Sequence, residues 1–211
     1  MKNILLILLT LVTLTSYGQL NWTVKGGLNV SNANFSSNGM IGTTKSMPNF
    51  MAGVVVDIPV KTFFLQTGLN YQNKGFCFET VDTDGTDIWK ESYTITYDWA
   101  EVPFTICMKM PIIKDKLLLG VNFGIFTAVG LSGKNTIEYT YNGESLFYDN
   151  QSLEWGNNGD FYRFDYGLNL GINLNYNGIV LGANYLPSRG NIAKGSQIYN
   201  TVNTFYIGYQ F

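Results

Sequence analysis

Along most of the chain apolar and polar residues alternate one for one, which is the period of a strand with two unlike faces. Trp22, Val24, Gly26, Leu28 and Val30 share one parity, while Thr23, Lys25, Gly27, Asn29 and Ser31 take the other. A second run covers 50–58, with Ala52, Val54, Val56 and Ile58 against Asp57, and a third sets Leu65, Thr67, Leu69 and Tyr71 against Gln66, Gly68, Asn70 and Gln72. The fourth places Val102, Phe104, Ile106, Met108 and Met110 opposite Glu101, Thr105, Cys107 and Lys109. Pro103 inside that run and the off-parity Trp99 predict a bulge or kink. Four further runs, over 117–130, 162–174, 179–186 and 204–211, repeat the pattern, most regularly where Tyr162, Phe164, Tyr166, Leu168, Leu170, Ile172 and Leu174 alternate with polar residues and glycine.

The links between the eight runs decide what kind of sheet they build. Those at 59–62, 111–116 and 175–178 are short, and those at 33–47, 79–92, 132–160 and 187–200 are long and polar, so short and long connections alternate. Transmembrane barrels have this layout, with tight periplasmic turns, long extracellular loops and an even strand count. The expected fold is all-β: an eight-stranded antiparallel up-and-down transmembrane barrel of the outer-membrane type. The soluble rival is a secreted lipocalin-like ligand-binding barrel. Its polar face would meet bulk water and carry many Lys and Glu, whereas here that face is mostly Gly, Asn, Thr and Gln.

Composition agrees, since 45% hydrophobic residues accompany only 13% charged ones, against roughly 25% charged in ordinary soluble domains. Tyr 14 and Phe 14 supply aromatic girdles. Lys2, the apolar residues from Ile4 to Leu14 and the small or polar Thr15, Ser16, Tyr17 and Gly18 read as a signal peptide over 1–18. The apolar run is too short for a membrane-spanning helix, which needs about 20 residues. Cleavage after Gly18 leaves one barrel domain, 19–211, exported through the periplasm to the outer membrane. A net charge of -2 gives no footprint for nucleic acid, and the absence of histidine removes the commonest general base and metal ligand.

Three short motifs carry a family resemblance. They are the Gly18-Gln19 junction, the segment Ala100-Glu101-Val102-Pro103-Phe104, and Arg163-Phe164-Asp165-Tyr166-Gly167-Leu168. With them the chain resembles the PorT-like outer-membrane β-barrel proteins over essentially all of 19–211. The closing Phe205, Ile207, Tyr209 and Phe211 are similar to the signal that barrel-assembly machinery reads. The resemblance implies fold and location; some members of that family are tied to protein secretion, so a secretion-accessory role is one functional expectation.

Chemistry is sparse. Alternation puts Glu101, Arg163 and Asp165 in the lumen, with register counting setting Glu101 level with Asp165 two strands away and the arginine compensating their charge. Similar counting sets Lys25 across from Asp57 as a cross-strand ion pair. In the second long loop Asp82, Asp84 and Asp87 beside Gly85 have the ingredients of a calcium loop without the spacing of an EF-hand, and an exposed acidic turn is the simpler reading. No cofactor is expected. The third long loop, 132–160, holds Tyr139, Tyr141, Phe147, Tyr148 and Trp155 among acidic residues. These aromatics either fold the loop onto the barrel rim as strand extensions or offer a contact to a protein partner, besides membrane lipid and the assembly machinery, for a monomeric barrel that is not an enzyme.

Overall fold

The computed structural model describes residues 20–37, 40–84, 86–114, 116–156, 159, 161–194 and 197–211. The signal peptide over 1–18 and its junction lie outside them. Ten strands form one antiparallel sheet: β1 Asn21–Ser37, β2 Met40–Thr43, β3 Lys45–Val60, β4 Phe63–Asp84, β5 Asp87–Ile113, β6 Leu117–Tyr141, β7 Glu144–Ser152, β8 Phe164–Tyr176, β9 Ile179–Pro187 and β10 Gln197–Gln210. Eight of them close a ring in the order β1, β3, β4, β5, β6, β8, β9, β10, with β10 pairing back onto β1; β2 and β7 are short additions on β1 and β6.

Following one rung from Asn21 through Asp57, Gln66, Thr105, Gly124, Asn169, Leu186 and Val202 returns to Ser31, ten residues further along β1. A shear of that size over eight strands tilts them by about 40° and leaves an interior just wide enough for side chains. The alternation sorts as expected. Leu28, Leu69, Phe104, Phe123, Ile172, Leu181 and Ile207 point outward and are exposed, while Asn29, Asn70, Thr105, Asn122 and Thr204 point inward and are buried. An apolar outer wall on every ring strand requires hydrocarbon around it, which sets the lipocalin-like alternative aside.

The short turns follow their sequences. Asn177 and Gly178 both take positive φ, 50° and 90°, so the β8–β9 hairpin closes on an Asn-Gly pair whose twist matches the strands. Lys61 adopts φ 52° in the β3–β4 turn.

The long links depart from expectation. Residues 79–84 and 87–92 are not loop but the continuation of β4 and β5, which stay paired to Asp84–Asp87. The 132–160 segment continues β6 to Tyr141, turns at Asn142 and Gly143 with φ 50° and 87°, and returns as β7. Much of 33–47 is strand as well. The reason is that backbone groups beyond the membrane still need partners, and a neighbouring strand satisfies them in water as well as in lipid. The expected irregularity near Trp99 is present as a register shift between Asp98 and Trp99, where Leu131 of β6 is the extra residue.

The lumen has two storeys. Toward the short-turn end it is polar. Toward the long-loop end it is closed by Phe76, Tyr97, Trp99, Phe126, Leu186 and Ile192, packed with Leu153 and Trp155 from the segment after β7. Gly167 makes room for this plug: a Cβ there would lie 2.7 Å from the Phe126 ring.

Candidate functional site

Lys25, Asp57, Glu101 and Asp165 are all buried inside the barrel. Glu101 and Asp165 share a rung through Ala128, two strands apart. Arg163 is not with them. β8 begins one residue later, so Arg163 has left the strand, and its side chain is exposed. The cation beside Glu101 is Lys74, with Nζ 3.4 Å from Oε2 and both side chains fully buried. Lys74 also sits over the Phe126 ring at 4.9 Å. Glu101 further accepts from Gln72 Nε2 at 3.2 Å, while Asp165 accepts from Ser188 Oγ at 2.7 Å. Continuing the polar face of the third run by one step from Gln72 reaches Lys74, and that was the legible signal for it.

Lys25 is not opposite Asp57 either. The register pairs Asp57 with Asn21 and Lys25 with Gly53, four residues away. Asp57 is instead bound by Lys109 Nζ at 2.6 Å, Gln66 Nε2 at 2.8 Å and Gln210 Nε2 at 3.0 Å, while Lys25 lies over the Tyr206 ring at 4.8 Å. The β1–β3 connection is largely strand, β1 running on to Ser37 and β3 starting at Lys45, and this sets the register that keeps the two residues apart. Lys25, Lys74 and Lys109 thus face Asp57, Glu101 and Asp165 in a charge-balanced interior. A cavity of about 20 Å³ near Asp57, Lys109 and Gln210 has room for about one water and for no organic substrate.

Asp82 and Asp84 are exposed and Asp87 half-buried along the β4–β5 hairpin, where Asp84 pairs with Asp87 and Asp82 with Trp89. Among the described residues no three acidic, His or Cys side chains are grouped to hold a metal. Asp82, Asp84 and Asp87 thus follow the strand pairing of the hairpin end. Phe205, Ile207, Tyr209 and Phe211 line the outer wall of the last strand. Cys77 and Cys107 are both free. Since Cys107 is level with Phe64 on β4, the two lie thirteen residues apart along that strand, about 43 Å at strand spacing.

Beyond the barrel rim β4, β5, β6 and β7 form a four-stranded paddle. β5 is 27 residues long, whereas crossing a membrane takes about 9 to 11. The register gives the paddle two unlike faces. The outer one, continuous with the lipid-facing wall, carries Ser92, Thr94, Thr96, Thr136, Glu79 and Lys90. The inner one, continuous with the lumen, carries Phe78 stacked on Tyr93 at 4.7 Å, Trp89 against Tyr141 at 4.4 Å, and Tyr139 against Phe147 at 5.8 Å. Tyr139 and Tyr93 donate to the Glu91 carboxylate on this inner face and hold it below the usual carboxylate range. On the outer face Lys45 and Lys90 do the same for Glu79.

A model of the outer membrane protein β-barrel domain matches residues 15–193. No curated protein matches the chain. Among solved structures the chain is similar to Ail, the attachment invasion locus protein of Yersinia pestis, at 13% identity over 92% of this chain and 100% of that one, with a TM-score of 0.38. It is also similar to the Neisserial surface protein A at 9% identity over 90% and 97%, TM-score 0.40, and to the N-terminal barrel of Pseudomonas aeruginosa OprF at 11% over 90% and 97%, TM-score 0.30. With its family model spanning most of the chain and its apolar outer wall, this protein belongs to the outer membrane protein β-barrel domain family and resides in the outer membrane.

Proposed function

We propose that this protein is a non-enzymatic, monomeric scaffold that holds a recognition surface outside the cell, with residues 132–160 as the chief contact. The observation that carries this reading is the contrast between a sealed, charge-balanced lumen and a paddle whose aromatics are exposed. Buried carboxylates that are paired and hydrogen-bonded have no role to play on a substrate, and the plug closes the path along the axis. Exposed aromatics on rigid strands are the surface features associated with binding.

The partner is a protein met at the cell surface. A secretion-accessory role rests on the PorT-like motifs at Glu101 and at Arg163 to Leu168, and pull-down from solubilised outer membrane separates the two. Recovered secretion components support the accessory role, and recovered external protein supports surface recognition. The scaffold reading is tested by shortening the 132–160 segment, with 137–149 replaced by a tight turn that joins the paired Thr136 and Asn150 and keeps Leu153 and Trp155 in the plug. Heat-modifiable barrel migration on gels should survive while partner capture is lost; capture that survives this replacement but disappears when Glu101 and Lys74 are neutralised in a folded barrel contradicts it.

A further inference from the structure

The paddle's inner face changes character at a definite height. Near the rim, Phe76, Ile95 and Tyr97 are covered by the plug residues Leu153, Trp155 and Ile192. Above that cover, Phe78, Trp89, Tyr139 and Phe147 are 39–52% exposed. These rings are therefore not an extension of the packed core. They lie on an unpartnered sheet face, and β7 leaves a free edge beside it, pairing only with β6 among the described residues.

The charges on that face have one sign. Register places Asp82, Asp84, Asp87, Glu91, Glu144 and Asp149 on the inner side, and among the described residues of the paddle no Lys or Arg joins them there. Lys90 and Lys134 belong to the outer side, where Lys90 lies 3.0 Å from Glu79. Glu91 stays ionised, being held by two tyrosine hydroxyls. Aromatic faces attract cations through the ring quadrupole, and carboxylates around them add directional acceptors that a guanidinium fork can bind bidentately.

We propose, building on the scaffold reading, that the inner paddle face docks a cationic, arginine-rich extended polypeptide segment, which adds to the free edge of β7 and extends its side chains over the Tyr139–Phe147 and Trp89–Tyr141 pairs. Charge complementarity selects this occupant, since six uncompensated carboxylates repel an anionic partner and a neutral one leaves their charge unanswered. The edge supplies unpaired backbone groups, and the alternation of a strand lets every second side chain of the guest reach the rings.

The test uses the full-length protein in lipid nanodiscs and a fluorescein-labelled deca-arginine peptide at physiological salt. Glu91→Gln with Asp149→Asn should weaken binding about tenfold, equivalent to 1.4 kcal/mol, and Trp89→Ala with Phe147→Ala should do so to a similar degree. The outer-face pair Glu79→Gln with Glu138→Gln removes the same charge and should change binding less than twofold. Equal loss from both charge pairs, no loss from the aromatic pair, or preferential binding of a neutral oligosaccharide would overturn the proposal. Unaltered gel migration of each variant excludes unfolding as the cause. Failure here with loss of partner capture on shortening 132–160 removes only the cationic partner; survival of capture after that shortening removes the scaffold reading itself.

Discussion

Strands β4 and β5 pass through two environments without changing register, and the same parity carries opposite chemistry in each. Within the barrel, outward positions are Leu65, Leu69, Phe104 and Ile106, and inward ones are Gln66, Asn70, Glu101 and Thr105. Above the rim the outward positions become Cys77, Glu79, Thr94 and Ser92, while the inward ones become Phe76, Phe78, Ile95 and Tyr93. The inversion occurs between Ala100 and Asp98 on one face and between Glu101 and Trp99 on the other. A strand's burial pattern is thus set by the medium on each side: hydrocarbon draws apolar groups out, and water lets them turn inward toward the plug.

The largest effect should come from the junction itself. Trp99→Ala opens a void in the plug and should cost about 3 to 5 kcal/mol in a lipid refolding titration. The two indoles that meet there, Trp99 and Trp155, have ring centroids 5.4 Å apart, and neither Nε1 has a hydrogen-bond partner among the described residues. Trp99→Phe should therefore be far milder than the alanine variant, because no bond is lost. Equal losses would show that the indole is held by something other than packing.

Just beneath the plug, Lys74→Met strands the buried Glu101 carboxylate and should cost about 3 to 5 kcal/mol, most of it recovered in the Lys74→Met, Glu101→Gln double variant. Absence of recovery would separate the two side chains energetically. Next in size, Val121→Arg or Ile172→Arg on the outer wall should cost about 2 to 4 kcal/mol near the bilayer midplane. Thr94→Arg, outward on the same sheet but above the rim, should change stability by no more than about 0.5 kcal/mol. Comparable losses from these substitutions would erase the distinction between wall and paddle.

The smallest effect is on acidity. Glu91 is held below its unfolded value by Tyr139 and Tyr93, so that contribution is present above the ordinary carboxylate range and is lost as pH falls through the lowered folded value. Acidification should loosen the paddle tip, read by Trp89 fluorescence, while barrel migration on gels stays unchanged.

The inversion also explains what the sequence made legible. Eight ring strands, the outer wall and the shared rung of Glu101 and Asp165 all lie where one parity rule holds. Outward parity alone reports the paddle as polar loops, because its apolar residues stand on the other parity. Trp99, which breaks the pattern in the sequence, is the first inward residue of the inverted segment. Asn142-Gly143 was a direct hairpin signal within 132–160. Lys109 stood on the polar face of the fourth run, yet its pairing with Asp57 depends on strands distant in sequence, which local alternation does not report.

Four tryptophans sample the environments this account distinguishes, and their quenching tests it most directly. Trp22 is on the outer wall, Trp89 on the paddle, and Trp99 with Trp155 in the plug. In variants that retain one of Trp22, Trp89 or Trp99, with the other tryptophans replaced by Phe, brominated lipid should quench Trp22 alone, aqueous acrylamide should quench Trp89 strongly, and Trp99 should resist both. Quenching of Trp89 by brominated lipid, or ready access of acrylamide to Trp99, would contradict a sealed barrel that raises an aromatic face into water.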